Sequence, residues 1–337
     1  MPESHIKLKK SAAYLSFWVG IGLFIVKVFA YFLTGSSAIF ADALESVVHV
    51  LATAMALYSI ILSTKPPDES HLYGHGNIEY FSAGVEGFFI LLAAVSIIYT
   101  SVVKIFSGFE IQDLDYGTVL IAFAGFTNLF LGFFLVKRGE KTDSLALVAD
   151  GKHVLTDSFT SFGVVTGLVL VLITGYKIID PIVAIIVGFN IIFTGYKLIR
   201  ESIGGLMNET DQKLLSRIVE ILIENRKDHW IDIHQLRFWK SAEKVFIDFH
   251  LTLPYYFTIR ESHEEEEKIE SEIQKSIPTA QVKLHIDYCT DSLCKYCKYQ
   301  ECKVRKDGFR EETVWDKKKL IGEALTLKAE EHKTLSL

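Results

Sequence analysis

Long apolar runs separated by short polar connections fill the first two hundred residues of the chain, and the pattern changes after Arg200. Six of these runs are each roughly twenty or more residues long, which is the length that crosses a membrane as a helix. They lie at about 12–34, 38–62, 81–106, 117–136, 145–174 and 178–199. The first run exceeds the apolar core of a signal peptide, and no small-residue cleavage site follows it. The pattern therefore predicts six transmembrane helices.

After Arg200 the pattern is that of a small soluble domain. Its elements are a helix at 211–225, strands at 231–238 and 244–253, an acidic amphipathic helix at 260–277 and a third strand at 280–288. The order αββαβ predicts a C-terminal cytoplasmic α+β domain, ferredoxin-like or metallochaperone-like, with its helices in one layer on a sheet.

These patterns predict three segments. We expect a six-helix transmembrane domain at 1–207, a cytoplasmic metal-binding and dimerisation domain at 208–290, and a cysteine-rich, charged tail at 291–337. Composition agrees, because 50% of the residues are hydrophobic while most charges follow Arg200. The net charge of −6 gives no indication of nucleic-acid binding.

The charges of the short connections predict the orientation in the membrane. Basic residues precede the first span and follow the second and fourth, whereas the connection at 108–116 is acidic. Because basic loops stay on the cytoplasmic side, both termini are expected to be cytoplasmic. We expect an integral protein of a bacterial inner membrane, in contact with lipid.

Two of the predicted spans carry a histidine and a carboxylate one helical turn apart. Glu45 and His49 share one helix face, and His153 and Asp157 repeat the spacing in the fifth span. Charged groups at this depth are costly unless they meet a partner or a water-filled path. Facing one another, the four side chains form a ligand set for a divalent transition metal. The alternative is that they are polar contacts between helices.

Two further groups have metal-ligand chemistry. A turn-rich connection, rich in proline and glycine, holds Asp68, His71 and His75 within eight positions, and a loop of this kind binds zinc or binds nothing. In the soluble domain, five residues on or beside the strands and the second helix are candidates for a second metal site. They are His234, His250, His263, His285 and Asp287.

All four cysteines lie close together after the last strand. Cys289, Cys294, Cys297 and Cys302 follow the pattern C-x4-C-x2-C-x4-C, which suits a closed zinc site. The first three also match the spacing of plant-type iron–sulfur ligands. Free reduced thiols are the third possibility for a cytosolic segment.

These motifs together resemble the cation diffusion facilitator family, whose members are antiporters that move Zn²⁺ and related ions out of the cytoplasm in exchange for protons. The resemblance covers about residues 10–290 and rests on four stretches: GSSAIFADALESVVH, DESHLYGHG, GKHVLTD and HIDYC. It implies that Glu45, His49, His153 and Asp157 form the transport site. It also implies a loop site at Asp68, His71 and His75, and a cytoplasmic site near a homodimer interface at His234, His250, His263, His285 and Asp287.

Three features depart from the family pattern. Glu45 stands where the family commonly has His or Asp, and it reaches one methylene further than Asp. Asn77 and Asn208 stand where the family often has a charge interlock, so only a neutral hydrogen bond could take its place here. The four cysteines exceed the usual pattern.

The sequence therefore predicts a dimeric exporter of divalent cations, foremost Zn²⁺, driven by protons, with Fe²⁺, Co²⁺, Cd²⁺ or Mn²⁺ as alternative substrates. Zn²⁺ is also expected to be regulatory. Two other functions use the same residues. An intramembrane metallohydrolase is one, but the chain lacks the H-E-x-x-H arrangement, so no enzyme is expected. A membrane-anchored metal sensor is the other, and it predicts binding without flux.

Overall fold

The computed structural model describes residues 3–34, 37–107, 116–174, 176 and 178–325. The chain divides into two units, Met1–Met207 and Asn208–Leu337. The acidic connection on which part of the orientation argument depends, residues 108–115, lies outside the described residues.

The described part of the first unit consists of six long helices. They are α1 (Glu3–Thr34), α2 (Ser37–Ser63), α3 (Ile78–Ser107), α4 (Tyr116–Lys141), α5 (Leu145–Thr174) and α6 (Ile179–Leu206). Each corresponds to one predicted span, and all but α5 extend beyond the apolar run at one end or both. For example, α1 begins at Glu3 and takes in the basic residues that precede the run.

Two stretches within these helices are long and apolar enough to cross a membrane by length and composition alone. They are Ile6–Phe29 in α1 and Ile78–Val103 in α3, the search being limited to the described residues. A shorter apolar stretch, His49–Ser63, follows the polar turn of α2.

The six helices pack chiefly in pairs, α1 with α2, α3 with α6, and α4 with α5. Facing glycines bring two of these pairs close together. A Cβ added at Gly132 of α4 would lie 3.0 Å from the carbonyl oxygen of Gly151 in α5, and one added at Gly87 would lie 3.1 Å from that of Gly195 in α6. Small residues at helix contacts let backbones approach closely, which is how helices associate where lipid offers no hydrophobic drive.

A buried ion pair joins α1 to the start of α3. Lys9 Nζ lies 2.7 Å from Glu79 Oε1, and the side chains are 0% and 1% exposed. Hydroxyl groups of Ser63 and Ser144 also donate to the Glu79 carboxylate. Lys9 is therefore not the solvent-facing basic flank that the sequence pattern predicts, because the helix extends past it and buries its charge against α3.

The second unit has the predicted order αββαβ, which is confirmed. It consists of α7 (Gln212–Glu224), β1 (Asp232–Ser241), β2 (Lys244–Leu253), α8 (Ile259–Ser276) and β3 (Ala280–Tyr288). Local signals fix both helix starts: Asp211 caps α7, and Thr258 with Glu261 forms a capping box at α8.

The three strands form one sheet in the order β1-β2-β3, with β1 and β2 antiparallel and β2 and β3 parallel. Alternate strand residues such as Ile233, Phe249 and Leu251 are buried in one core with residues of α7 and α8. Because side chains alternate across a strand, the residues between them point to the face away from that core.

The chain after β3 folds back onto β1. A 3₁₀ helix (Asp291–Tyr296) follows β3, and a short helix α9 (Lys317–Ile321) lies against β1. At a bulge in β1, Gln235 has φ 52° and its backbone N–H donates to the carbonyl of Gly322. The tail thereby pairs with an otherwise open sheet edge.

Candidate metal sites

Three groups of histidine and carboxylate side chains in the described part of the chain have ligand atoms that all lie within 4.8 Å of one another. The groups are His49, His153 and Asp157; Asp68, His71 and His75; and His234, His250 and Asp287. We call them the membrane site, the loop site and the sheet site. The loop site is the same set of three residues that the sequence predicts, whereas the membrane site and the sheet site are each part of a larger predicted set.

The membrane site joins α2 to α5. His49 Nδ1 lies 2.6 Å from Asp157 Oδ2, and the rings of His49 and His153 are 5.2 Å apart. Both imidazoles are buried, and neither ring nitrogen of His153 has a hydrogen-bond partner among the described residues. Nε2 of His49 also lacks one there. Buried polar atoms are normally paired, so these nitrogens are free to bind a ligand.

The fourth predicted member of this set, Glu45, lies in α2 one turn before His49, but its side chain lies outside the described residues. On the other side of the site, α1 presents Gly20. A Cβ at Gly20 would lie 3.4 Å from the ring of His49. The absence of a side chain there lets α1 pass close to the imidazole.

Two buried carboxylates near this site were not among the predicted site residues. Asp150, one turn before His153, accepts hydrogen bonds from Ser16 at 2.6 Å and Thr53 at 3.1 Å. Glu86 of α3 is fully buried, and its Oε2 has no hydrogen-bond partner in the described part of the chain. The helical spacing of Asp150 and His153 is the signal that could have included Asp150, whereas nothing in the sequence relates Glu86 to the site.

In the loop site, Asp68 contacts both histidines. Its Oδ1 lies 3.3 Å from His71 Nδ1 and its Oδ2 lies 3.2 Å from His75 Nε2. The histidine rings are 4.3 Å apart. Desolvation opposes ionisation of this carboxyl, but hydrogen bonds from the backbone and ring of His71 and the backbone of Ser70 outweigh it and lower the pKa of Asp68. The carboxylate is therefore in its metal-binding form.

The sheet site follows from the strand register. His234 pairs with His250 across β1 and β2, and His250 pairs with His285 across β2 and β3, so three histidines form one row across the sheet. Asp287 Oδ2 lies 3.0 Å from His250 Nδ1 and 3.3 Å from His234 Nε2. His285 stands at the margin, with its Nε2 3.5 Å from Asp287 Oδ1.

A buried carboxylate stands behind His234. Asp232 Oδ2 lies 3.3 Å from His234 Nδ1, and Asp232 Oδ1 forms an ion pair of 2.6 Å with Lys319 of α9. Burial opposes ionisation, but His234 and Lys319 outweigh it and lower the pKa of Asp232. A carboxylate at the far nitrogen of a histidine orients the ring and fixes its tautomer.

His263 is not part of the sheet site. It lies on α8, 64% exposed, with its ring nitrogens 3.5 Å from Glu266 and 3.6 Å from Glu267. The reason is geometric, because α8 packs on the core face of the sheet while the row of histidines lies on the opposite face. Within one chain, two of the five predicted residues, His263 and His285, therefore lie outside the group of three.

The cysteines do not form a group as tight as these three among the described residues, but all four line one cavity. All four are free thiols. Burial raises the pKa of Cys289 and that of Cys297.

Comparison with known proteins agrees with the two-part fold. The model of the cation efflux transmembrane domain matches residues 13–207, and the model of the cytoplasmic domain of cation efflux proteins matches residues 210–289. The chain belongs to the cation efflux family. It is thus a six-helix membrane transporter of divalent metal cations with a C-terminal cytoplasmic α+β domain, as the resemblance to cation diffusion facilitators predicts.

Full-length relatives of this family match most of the chain. An uncharacterized transporter of Synechocystis sp. is 33% identical over 285 residues, which are 85% of this chain and 92% of its own. The magnetosome protein MamB of Paramagnetospirillum magneticum is 30% identical over 249 residues, 74% of this chain and 83% of its own. The cation-efflux pump FieF of Yersinia pestis is 27% identical over 296 residues, 86% and 96% respectively.

Proposed function

We propose that this transporter exports Zn²⁺ from the cytoplasm in exchange for protons, and that Glu45, His49, His153 and Asp157 bind the ion during transport. The observation that carries the proposal is the membrane site, where two buried imidazoles and a carboxylate from α2 and α5 meet within 4.8 Å. The direction of transport is supported by the name of the related cation-efflux pump of Yersinia pestis.

Proton coupling follows from the chemistry of these ligands. Neutral imidazole and ionised carboxylate bind metal, so metal binding releases protons and protonation releases metal. His49 and His153 are the natural proton carriers because an unperturbed imidazole titrates near cellular pH. Asp157 and Glu45 supply two negative charges, which balance a divalent ion. The site then opens alternately to the two sides of the membrane, as in secondary transporters generally.

The ligand set favours zinc. Imidazole nitrogens and carboxylate oxygens in a tetrahedral arrangement suit Zn²⁺, whereas Mg²⁺ and Ca²⁺ take six or more oxygens. Other first-row ions and Cd²⁺ bind the same atoms with different geometric demands. We therefore expect Zn²⁺ as the main substrate and Cd²⁺, Co²⁺, Fe²⁺ and Mn²⁺ as poorer ones.

The cytoplasmic parts have regulatory roles in this proposal. The chain acts as a homodimer in the bacterial inner membrane with both termini in the cytoplasm, and metal at the loop and sheet sites stabilises one conformation of the dimer. A ligand shifts such an equilibrium only by its differential affinity for the two states. The exposed His263 and His285 are available in this arrangement to complete the sheet site with ligands from the other protomer.

Flux into proteoliposomes with an imposed pH gradient tests the proposal. Zn²⁺ should accumulate inside only when the interior is more acidic than the exterior, and uptake should be accompanied by alkalinisation of the interior. A matched preparation without a gradient gives the passive leak. Stoichiometric zinc binding without gradient-dependent flux would identify a metal sensor instead.

A further inference from the structure

The four cysteines form a structural motif that the transport function does not use. Cys289 is the last residue matched by the cytoplasmic family domain, and the other three lie beyond it. Their cavity lies at the end of β3, between the connection after β2 and the 3₁₀ helix. Its lining is completed by Ile231, Pro254, Thr290, Leu293 and Arg305. Its volume is about 10 Å³, which is the space of a single small ion or water molecule.

Burial raises the pKa of Cys289 and that of Cys297. The backbone N–H of Tyr255 acts to lower the first pKa and the backbone N–H of Tyr299 acts to lower the second. Hydrogen bonds to the charged form of a group favour that form.

The loop that carries the thiols is held in place by Arg305. The guanidinium donates to the carbonyl oxygens of Cys297 at 3.0 Å and Tyr299 at 2.8 Å, and its charge favours the Cys297 thiolate. The backbone N–H of Cys289 donates to Leu253 at 2.9 Å, which anchors the first cysteine to β2.

Without a ligand this arrangement is unfavourable. The desolvation that accompanies burial disfavours the thiolates of Cys289 and Cys297 and raises the pKa of both, so these two thiols gain little from the donors. A bound divalent cation removes the penalty, because a coordinating thiol is deprotonated by the ion itself. A closed zinc site holds four sulfur atoms about 2.3 Å from the ion, so the cysteine side chains must rotate into the cavity to bind one.

We propose that Cys289, Cys294, Cys297 and Cys302 bind one structural Zn²⁺, separate from the transported ion, and that this ion fixes the tail against the sheet. Two features of this ligand set favour a structural zinc ion. Soft thiolates select Zn²⁺, and four ligands leave no open coordination position. Binding releases the thiol protons to solvent, with no change in oxidation state.

Cobalt tests the site in the full-length chain. The protein is purified in detergent under reducing, metal-free conditions and titrated with Co²⁺, which fills tetrahedral zinc sites and gives intense sulfur-to-cobalt absorption only when thiolates bind it. Histidine and carboxylate sites do not give this signal. One equivalent per chain should produce the band, and one equivalent of Zn²⁺ should remove it.

Variants locate the signal. The double variant Cys294→Ser with Cys297→Ser should abolish the band, while Ser292→Ala in the same 3₁₀ helix and His234→Ala in the sheet site should retain it. If the cysteine variant does not fold, the cobalt titration of the wild-type protein alone tests the proposal. Absence of the sulfur-to-cobalt band from reduced wild-type protein would overturn the proposal. Visible absorbance with labile sulfide in anaerobically purified protein would do the same in favour of an iron–sulfur cluster.

Discussion

His49 and Asp157 lie 2.6 Å apart between α2 and α5, although 108 residues separate them in the chain. The contact places a carboxylate from one helix against an imidazole from another at the centre of the membrane site. In the proposed transport cycle both groups are needed, since the carboxylate balances the charge of a cation and the imidazole exchanges a proton for it.

Replacing Asp157 with Asn tests this division of roles. The variant keeps the shape and a hydrogen bond to His49 but loses the charge, so we expect zinc flux to fall by more than about 10-fold. The control is Ser158, the next residue of α5, whose hydroxyl donates to the backbone carbonyl of Gly125 in α4 and not to the membrane site. Ser158→Ala should transport normally. Flux of Asp157→Asn close to wild type would mean that the residues only pack the helices together.

Ion selectivity should depend on Glu45. Its extra methylene relative to Asp lets the carboxylate move or bind through both oxygens, which relaxes the tetrahedral preference that excludes ions of higher coordination number. We expect Glu45→His to sharpen the preference for Zn²⁺ over Cd²⁺, Co²⁺ and Fe²⁺, with Mn²⁺ weakest in both proteins. Competition of each ion against zinc flux measures this. A wild type that prefers Mn²⁺ or Fe²⁺ would show that residues around the ligands decide selectivity.

Close packing of α4 and α5 should be sensitive at Gly151. An added Cβ would lie 2.7 Å from the backbone nitrogen of Val136, so the helices must separate. We expect Gly151→Ala to cost about 1–3 kcal/mol of stability and to lower flux, because His153 lies two residues away. Gly22→Ala in α1, where nothing lies within 4 Å, is the matched control. Thermal unfolding in detergent compares the two, and equal melting temperatures would contradict the contact.

The buried Lys9–Glu79 pair predicts a non-additive effect on stability. Removing one partner leaves an uncompensated buried charge, which costs about 3–5 kcal/mol, whereas apolar groups at both positions avoid that cost. Lys9→Met should therefore be strongly destabilising, and adding Glu79→Met should recover much of the loss. Lys10→Met is the control for charge alone. Additive losses in the double variant would exclude a buried pair.

Acid should weaken the cytoplasmic domain through Glu265. Burial acts to raise the pKa of this carboxyl, but hydrogen bonds from Lys268 and three neighbouring side chains outweigh it and bring the pKa to about 2. The three are His229, Trp230 and Lys227. Because the folded pKa is depressed, the stabilisation is fully present above the ordinary pKa of 4.5 and is lost as the pH falls towards 2.

Glu265→Gln measures this contribution. At neutral pH the variant should unfold at a lower temperature than the wild type, and the difference should shrink between pH 4.5 and about 2. Glu264→Gln, on the exposed side of α8, should melt like the wild type at every pH. A constant difference between Glu265→Gln and wild type over this range would assign the effect to packing rather than to the charge.

The sequence alone predicts the helices and strands and residues of each metal site. Apolar length predicts the six helices, and a two-residue alternation predicts the strands, because both periods are local properties of the chain. The same alternation puts His250 on the face opposite Phe249. It does not reveal that His250 stands between His234 and His285, since strand register depends on pairing between distant segments.

The long-range polar contacts were beyond sequence reasoning for a similar reason. The sequence pattern predicts that Lys9 flanks the first span and that Glu79 lies at a helix end. Only the packing of α1 against α3 shows that the two side chains form an ion pair. Likewise, His263 lies among charged residues that suit either a ligand or a solvated helix face. The choice between the two depends on the face of the sheet against which α8 packs.

Residues of two proposed metal sites lie close together along β3 and just beyond its end. His285 and Asp287 lie on β3 at the sheet site, and Cys289 follows the last residue of the strand, two residues after Asp287 and about 7 Å further along. Loss of the proposed zinc from the thiols, whether by chelation or by oxidation, would therefore release the end of the strand that holds Asp287. The proposed thiol site and the sheet site would then act on one segment of backbone.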